Sequence, residues 1–95
     1  MNAVEFFSEE RFAAAGVKIP SNRAHILHLI RNSRDDVDGP PYYYLDPRVT
    51  TVGDLIKIKT RRFLKTLNFG RRSFDAMQRI LRREGLEVRD VDDPD

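Results

Sequence analysis

Apolar positions along the 95-residue chain recur mostly at three- and four-residue intervals, the period of an amphipathic helix, and no run alternates long enough to read as a strand. Near the start, Ser8 followed by Glu9 and Glu10 predicts a capped helix with Phe12 inward and Gly16 as its stop. A second helix is expected over 21-SNRAHILHLIRN-32. Ser21 or Asn22 would cap it, Ala24, Ile26, Leu27, Leu29 and Ile30 would give a wide apolar face, and it would fade between Asn32 and Arg34. The stretch 35-DDVDGPPYYYLDP-47 holds four aspartates, a glycine and three prolines, which opposes a continuous helix and predicts a long loop. One or two of Tyr42, Tyr43 and Tyr44 are expected to pack on the core, the other use of such a cluster being to stack bases. Thr51 with Asp54 reads as a capping box opening a short helix with Val52, Leu55 and Ile56 apolar. Thr60 starts another, with Phe63, Leu64 and Leu67 inward and Arg61, Arg62 and Lys65 outward. A tight turn at 68-NFG-70 leads to the clearest helix of all. Ser73 is its expected N-cap, Asp75 sits in its first turn and pairs with Arg79, Phe74, Met77, Ile80 and Leu81 form its buried stripe, and Gly85 with Leu86 closes it. The tail 89-RDVDDPD-95 is expected to fray.

These elements imply an all-α fold of about five short helices. The chain divides into an N-terminal helical segment with a Pro/Tyr-rich loop (1–48), a region of short helices around the 68–70 hairpin (49–88) and an acidic tail (89–95), together one structural domain in size. No apolar run approaches the ~18 residues that a membrane span needs, and MNAVEFFSEE is not a secretory signal. The absence of cysteine excludes disulfides, thiolate metal sites and cysteine nucleophiles and fits a cytoplasmic setting.

Charge changes the picture. The net charge is only +2, but between Lys57 and Arg83 stand ten basic residues and one acid, Asp75, so that segment carries +9 and the remainder −7. Such asymmetry points to a polyanion-binding face. Its centre is 68-NFGRRSF-74. Gly70 can adopt φ > 0 and let a ligand approach, Arg71 and Arg72 bring charge, and Ser73 and the first N–H groups of the next helix bring donors, all suited to a phosphate oxygen. Both Gly70 and Ser73 also have purely structural readings, as a turn residue and a cap. None of these groups reads a base, so the binding expected is sequence-independent and salt-sensitive. Catalysis is not expected. His25 and His28 lack a third ligand, no nucleophile–base pair is recognisable, and neither metal nor cofactor is implied.

The run 52-VGDLIKIKTRRFLKTLNFGRRSFDAMQRILRREGL-86 resembles the C-terminal domain of the bacterial RNA polymerase alpha subunit, through 52-VGDL-55, 64-LKTLNFGRRS-73 and 81-LRREGL-86 in the same order and spacing. The resemblance implies a helix-hairpin-helix domain that binds the DNA minor groove in a transcription setting, nucleoid-associated, and that also contacts activators. It assigns DNA contacts to Lys65, Asn68, Gly70, Arg72 and Ser73, with Arg71 at the neighbouring basic position. Leu67 stands where that family often has proline, and Arg61 and Arg62 where acidic or neutral residues are common. The family's principal DNA-contacting arginine lies on a helix just before the VGDL-like segment. Here that offset falls in 39-GPPYYY-44, so the helix at 21–32, displaced by an inserted loop, becomes its counterpart and Arg23 the candidate arginine. With its own Met1 and no assembly domain, the chain is expected to be a free-standing relative. Double-stranded DNA is the expected partner. The alternatives are an adaptor docking on RNA polymerase or a transcription regulator, and RNA binding, since backbone contacts alone do not separate RNA from DNA.

Overall fold

A computed structural model describes residues 1–35 and 43–88. Six helices follow in order: α1 (Ala3–Phe6), α2 (Glu9–Ala14), α3 (Ser21–Arg31), α4 (Val52–Ile56), α5 (Thr60–Leu64) and α6 (Arg71–Arg83). The fold is all-α as the periodicity predicts. Asn2 and Thr51 form an isolated antiparallel bridge.

The additional helix, α1, is four residues long and has no periodicity to announce it. Asn2 caps it through its side-chain oxygen, which accepts from the N–H groups of Val4 at 2.8 Å and Glu5 at 3.2 Å. Backbone bonds from Ala3 N–H to the Thr50 carbonyl and from Val52 N–H to the Met1 carbonyl then clamp it to the start of α4. The Thr51 capping box forms with both arms, and Ser8 caps α2 as expected. Both predicted glycine stops hold. Gly16 (φ 69°) and Gly85 (φ 75°) take the left-handed conformation. Each is followed by a residue that bonds back five positions, Val17 to Phe12 and Leu86 to Leu81, the paired-bond closure of a Schellman motif.

One buried cluster runs from Ala3 to Val88. Its aromatic content falls into two groups. Phe6, Phe7 and Phe12 meet edge to face near the N-terminus, and Phe63 lies 6.1 Å from Phe69 and 5.7 Å from Phe74 at the α5–α6 corner. Between them α3 packs on both α1 and α6, presenting Ile26, Leu27, Leu29 and Ile30; Ala24 faces solvent. Neither Ser21 nor Asn22 caps α3. Pro20 occupies the cap position, and Ser21 is already the first helical residue, since proline's preset φ suits a helix start without a side-chain acceptor.

The expected long loop leaves α3 and returns within a few residues of where it left. Buried Ser33 donates to the Ile30 carbonyl and accepts from Val49 N–H at 2.8 Å, and Arg34 N–H bonds the Leu45 carbonyl. Leu45, fully buried, is the residue by which the segment enters the core. Tyr43 and Tyr44 do not: Tyr43 is 68% exposed and Tyr44 37%, the latter lying under the Arg34 guanidinium at 4.2 Å from its ring centroid. Tyr42 and the acidic tail lie outside the described residues.

Candidate nucleic-acid interface

The α5–α6 turn is built around one left-handed residue, and it is Asn68 (φ 64°), not Gly70. Asparagine tolerates this region because its short polar side chain crowds the backbone little. Phe69 is buried beyond it, and Leu67, expected inward, is 49% exposed. Thr66 steadies the approach through its hydroxyl, which donates to the Arg62 carbonyl at 2.8 Å.

Gly70 instead occupies the N-cap of α6 in ordinary extended geometry (φ −101°, ψ −177°). A Cβ added there would meet nothing within 4 Å. The turn therefore does not require glycine on steric grounds. The effect of glycine at this position is to leave the first turn of a 13-residue helix with no side chain capping it. Ser73, expected as that cap, is the third helical residue and only 7% exposed. It lies on the same face as Met77 and Ile80, three to four residues apart, so packing of that face draws the helix start back to Arg71 and carries the serine inward. Asp75 accordingly falls beyond the first turn, and its ion pair runs back to Arg71 at 3.5 Å, not forward to Arg79. Both partners are well exposed, which makes the pair worth little. The buried stripe of Phe74, Met77, Ile80 and Leu81 is as predicted.

Arg72 is exposed and lines a depression of about 220 Å³ where the start of α6 meets the start of α3. The other lining residues that carry charge or polarity are Lys18, Asn22, Asp75 and Arg79. Lys18 and Asn22 escaped the sequence reading. The signal that could have found them was the placement of α3 as the displaced helix, taken one residue and one turn earlier than Arg23. The Arg23 Nε donates to the Phe7 carbonyl at 2.8 Å and its side chain is half-buried, so this arginine ties α3 to the N-terminal turns. It lines a separate depression with Glu9, His28 and Arg31.

The remaining candidates are spread around the turn. Lys65, at the C-cap of α5, is exposed and opens onto a cleft shared with the α4–α5 connection. Asn68 lies on a shallow surface with His25, His28, Tyr43 and Tyr44. Arg61 and Arg62 are half-buried where exposure was expected, because Arg62 forms an ion pair with Asp46 that binds α5 to the segment returning from the long loop. One carboxylate in this region is perturbed. The Asp54 pKa is lowered by backbone N–H groups of Thr51 and Thr50, which its side chain accepts as part of the capping box.

Among the described residues no cluster of three or more His, Asp or Glu side chains is arranged to hold a metal ion, and no helix is long and apolar enough to cross a membrane. Comparison with family models, with curated proteins and with solved structures gives no match.

Proposed function

We propose that this chain is a non-catalytic DNA-binding protein. The turn at 65–70 and the start of α6 act as a helix-hairpin-helix of the RNA polymerase alpha C-terminal kind, gripping the phosphate backbone of duplex DNA in a transcription setting. One observation carries the reading. The first turn of α6, bare at Gly70 and carrying exposed Arg72, adjoins Lys18 from the segment before α3 and Asn22 of α3 in a single depression. Three cations, Lys18, Arg72 and Arg79, thus meet the positive end of the helix dipole on a wall whose one acid among the described residues, Asp75, is already paired with Arg71. Arg71, paired with Asp75, and beyond it Lys65 and Asn68 extend the contact along the duplex. Ser73 contributes through its backbone N–H, its side chain being directed into the fold, and Arg23 holds α3 in place.

The test is a titration of short duplex DNA against the wild type, Arg72→Ala and Arg31→Ala. Arg72→Ala weakens binding by about tenfold, about 1.4 kcal/mol. Arg31→Ala, at the opposite end of α3, leaves it unchanged. Absence of binding by the wild type at low salt rejects the reading. It would favour the adaptor alternative, for which the exposed Tyr43, Tyr44 and Leu67 beside Asn68 offer an apolar contact surface.

A further inference from the structure

A second concavity lies on the opposite side of α5 from the core. It has a volume of about 470 Å³ and is walled by α5, the α4–α5 connection and the segment Asp46–Pro47–Arg48. This falls within the usual size of small-molecule sites. Six basic side chains line it: Arg48, Lys57, Lys59, Arg61, Arg62 and Lys65. Among the described residues the acids on its wall are Asp46 and Asp54, and both are already engaged. Asp46 takes the ion pair from Arg62, and Asp54 accepts the Thr50 and Thr51 N–H groups at 3.1 and 3.0 Å. The wall therefore carries a formal charge of +4. Lys59, Arg61 and Arg62 also make contacts within the protein, so the groups that reach a ligand are the exposed Arg48, Lys57 and Lys65.

The arrangement differs from a basic stripe on a helix. The bases come from three pieces of chain and face one another across a hollow, and a concave, low-dielectric wall focuses their field at its centre. A single phosphate, carrying about −2, would leave about half of that charge unmatched, whereas several phosphates linked in a short chain would match it. Pro47 and Ile58 add an apolar strip to the same wall. The Arg62–Asp46 ion pair holds the two sides together, so the hollow is set before any ligand arrives.

The geometry points to this cleft as a binding site for a compact polyphosphate, either free or carried on a nucleoside whose base lies against Pro47 and Ile58. The site is independent of the α6 depression. The two share no lining residue among those described.

The experiment is isothermal titration of the full chain at low salt with inorganic tripolyphosphate and, separately, with ATP. Saturable one-to-one binding of at least one probe is expected. Binding weakens by at least about tenfold in the double variant Arg48→Glu/Lys57→Glu, and stays within about twofold of wild type in Arg72→Ala. Equal affinity for the two probes assigns the free polyphosphate, and tighter ATP binding assigns the nucleoside form; both uphold the site. Circular dichroism melts establish that the double variant is folded, and Lys57→Ala supplies a milder second test, with a loss of about threefold. Two results overturn the proposal: no saturable binding of either probe, or equal loss in the charge-reversed, Lys57→Ala and Arg72→Ala proteins, which would mean diffuse attraction to a basic surface. Duplex DNA titrated into the same double variant separates this site from the DNA reading. DNA binding kept while polyphosphate binding is lost leaves both standing, and polyphosphate binding kept in the double variant removes this one alone.

Discussion

Gly70 has space for a side chain yet has none, and it stands where a helix ordinarily places serine, aspartate or asparagine. A glycine retained for a strained backbone and one that leaves donors open respond differently to the same change. In Gly70→Ser the extended backbone is kept, and the new hydroxyl accepts from the N–H groups of Arg72 or Ser73. Stability rises by about 0.5 kcal/mol, through the cap and the reduced freedom of the unfolded chain. DNA affinity falls, because the donors are already occupied. Urea melts and a DNA titration on one preparation read the two effects, and a stability loss would mean that glycine is structural after all. Asp54 permits a pH prediction at the same scale. Its pKa lies below the ordinary 3.8, so its stabilising contribution is complete above that value and is lost as pH falls through the lowered one. Asp54→Asn should therefore be less stable than wild type at neutral pH, and the difference should shrink on acid titration below about pH 4. A constant difference across that range would remove the carboxylate from the account.

Among the elements, α5 and α6 depend on one another more than on their own propensities. A five-residue helix has no standing in water by itself. Phe63 is fully buried and meets Phe69 from the turn and Phe74 from α6. Phe63→Ala should cost about 3–5 kcal/mol, a large part of the 5–15 kcal/mol available to a domain of this size. Leu67→Ala, on the exposed side of the same turn, should stay within about 0.5 kcal/mol. Chemical denaturation of both variants checks the inside–outside sense of the turn, since the sequence pattern alone had Leu67 inward. That reading failed because it treated the turn as a continuation of the helical period. The left-handed step at Asn68 breaks the period, and Phe69 takes the interior place. Tyr43 and Tyr44 stay outside for a different reason. Hydrophobicity made them candidates for burial, but Leu45 already fills the position at which the loop re-enters the core, and Arg34 covers one face of Tyr44.

Across the whole molecule, the +9 segment folds into the α4–α5 connection, α5, the turn and α6, and the remainder adds Asp46, Arg48 and Asp54 to one basic hollow and Lys18 and Asn22 to the other. With Lys18, Arg72 and Arg79 around the α6 depression, DNA binding should release about three counterions. The slope of log K against log salt should then be about −3, reduced to about −2 in Arg72→Ala. A flat salt dependence would contradict a phosphate grip on any part of this surface.

Helical periodicity determined the class of fold, the buried stripe of α6 and the sides of α3 that face inward. Glycine placement determined where α2 and α6 end, and Thr51 with Asp54 determined where α4 begins. These are local matters, settled by side chains within four or five positions of one another. Tertiary structure decided what depends on distant neighbours. It drew the start of α6 back to Gly70 because the face carrying Ser73 had to pack. It turned Arg23 toward the Phe7 carbonyl and left Lys18 and Asn22 beside Arg72. It also faced Arg48 and Lys57 across the cleft that α5 completes. The sequence alone located the charge and the turn. The side chains that share a hollow were decided by the fold, because α3 and α6 meet only through a core assembled from both ends of the chain.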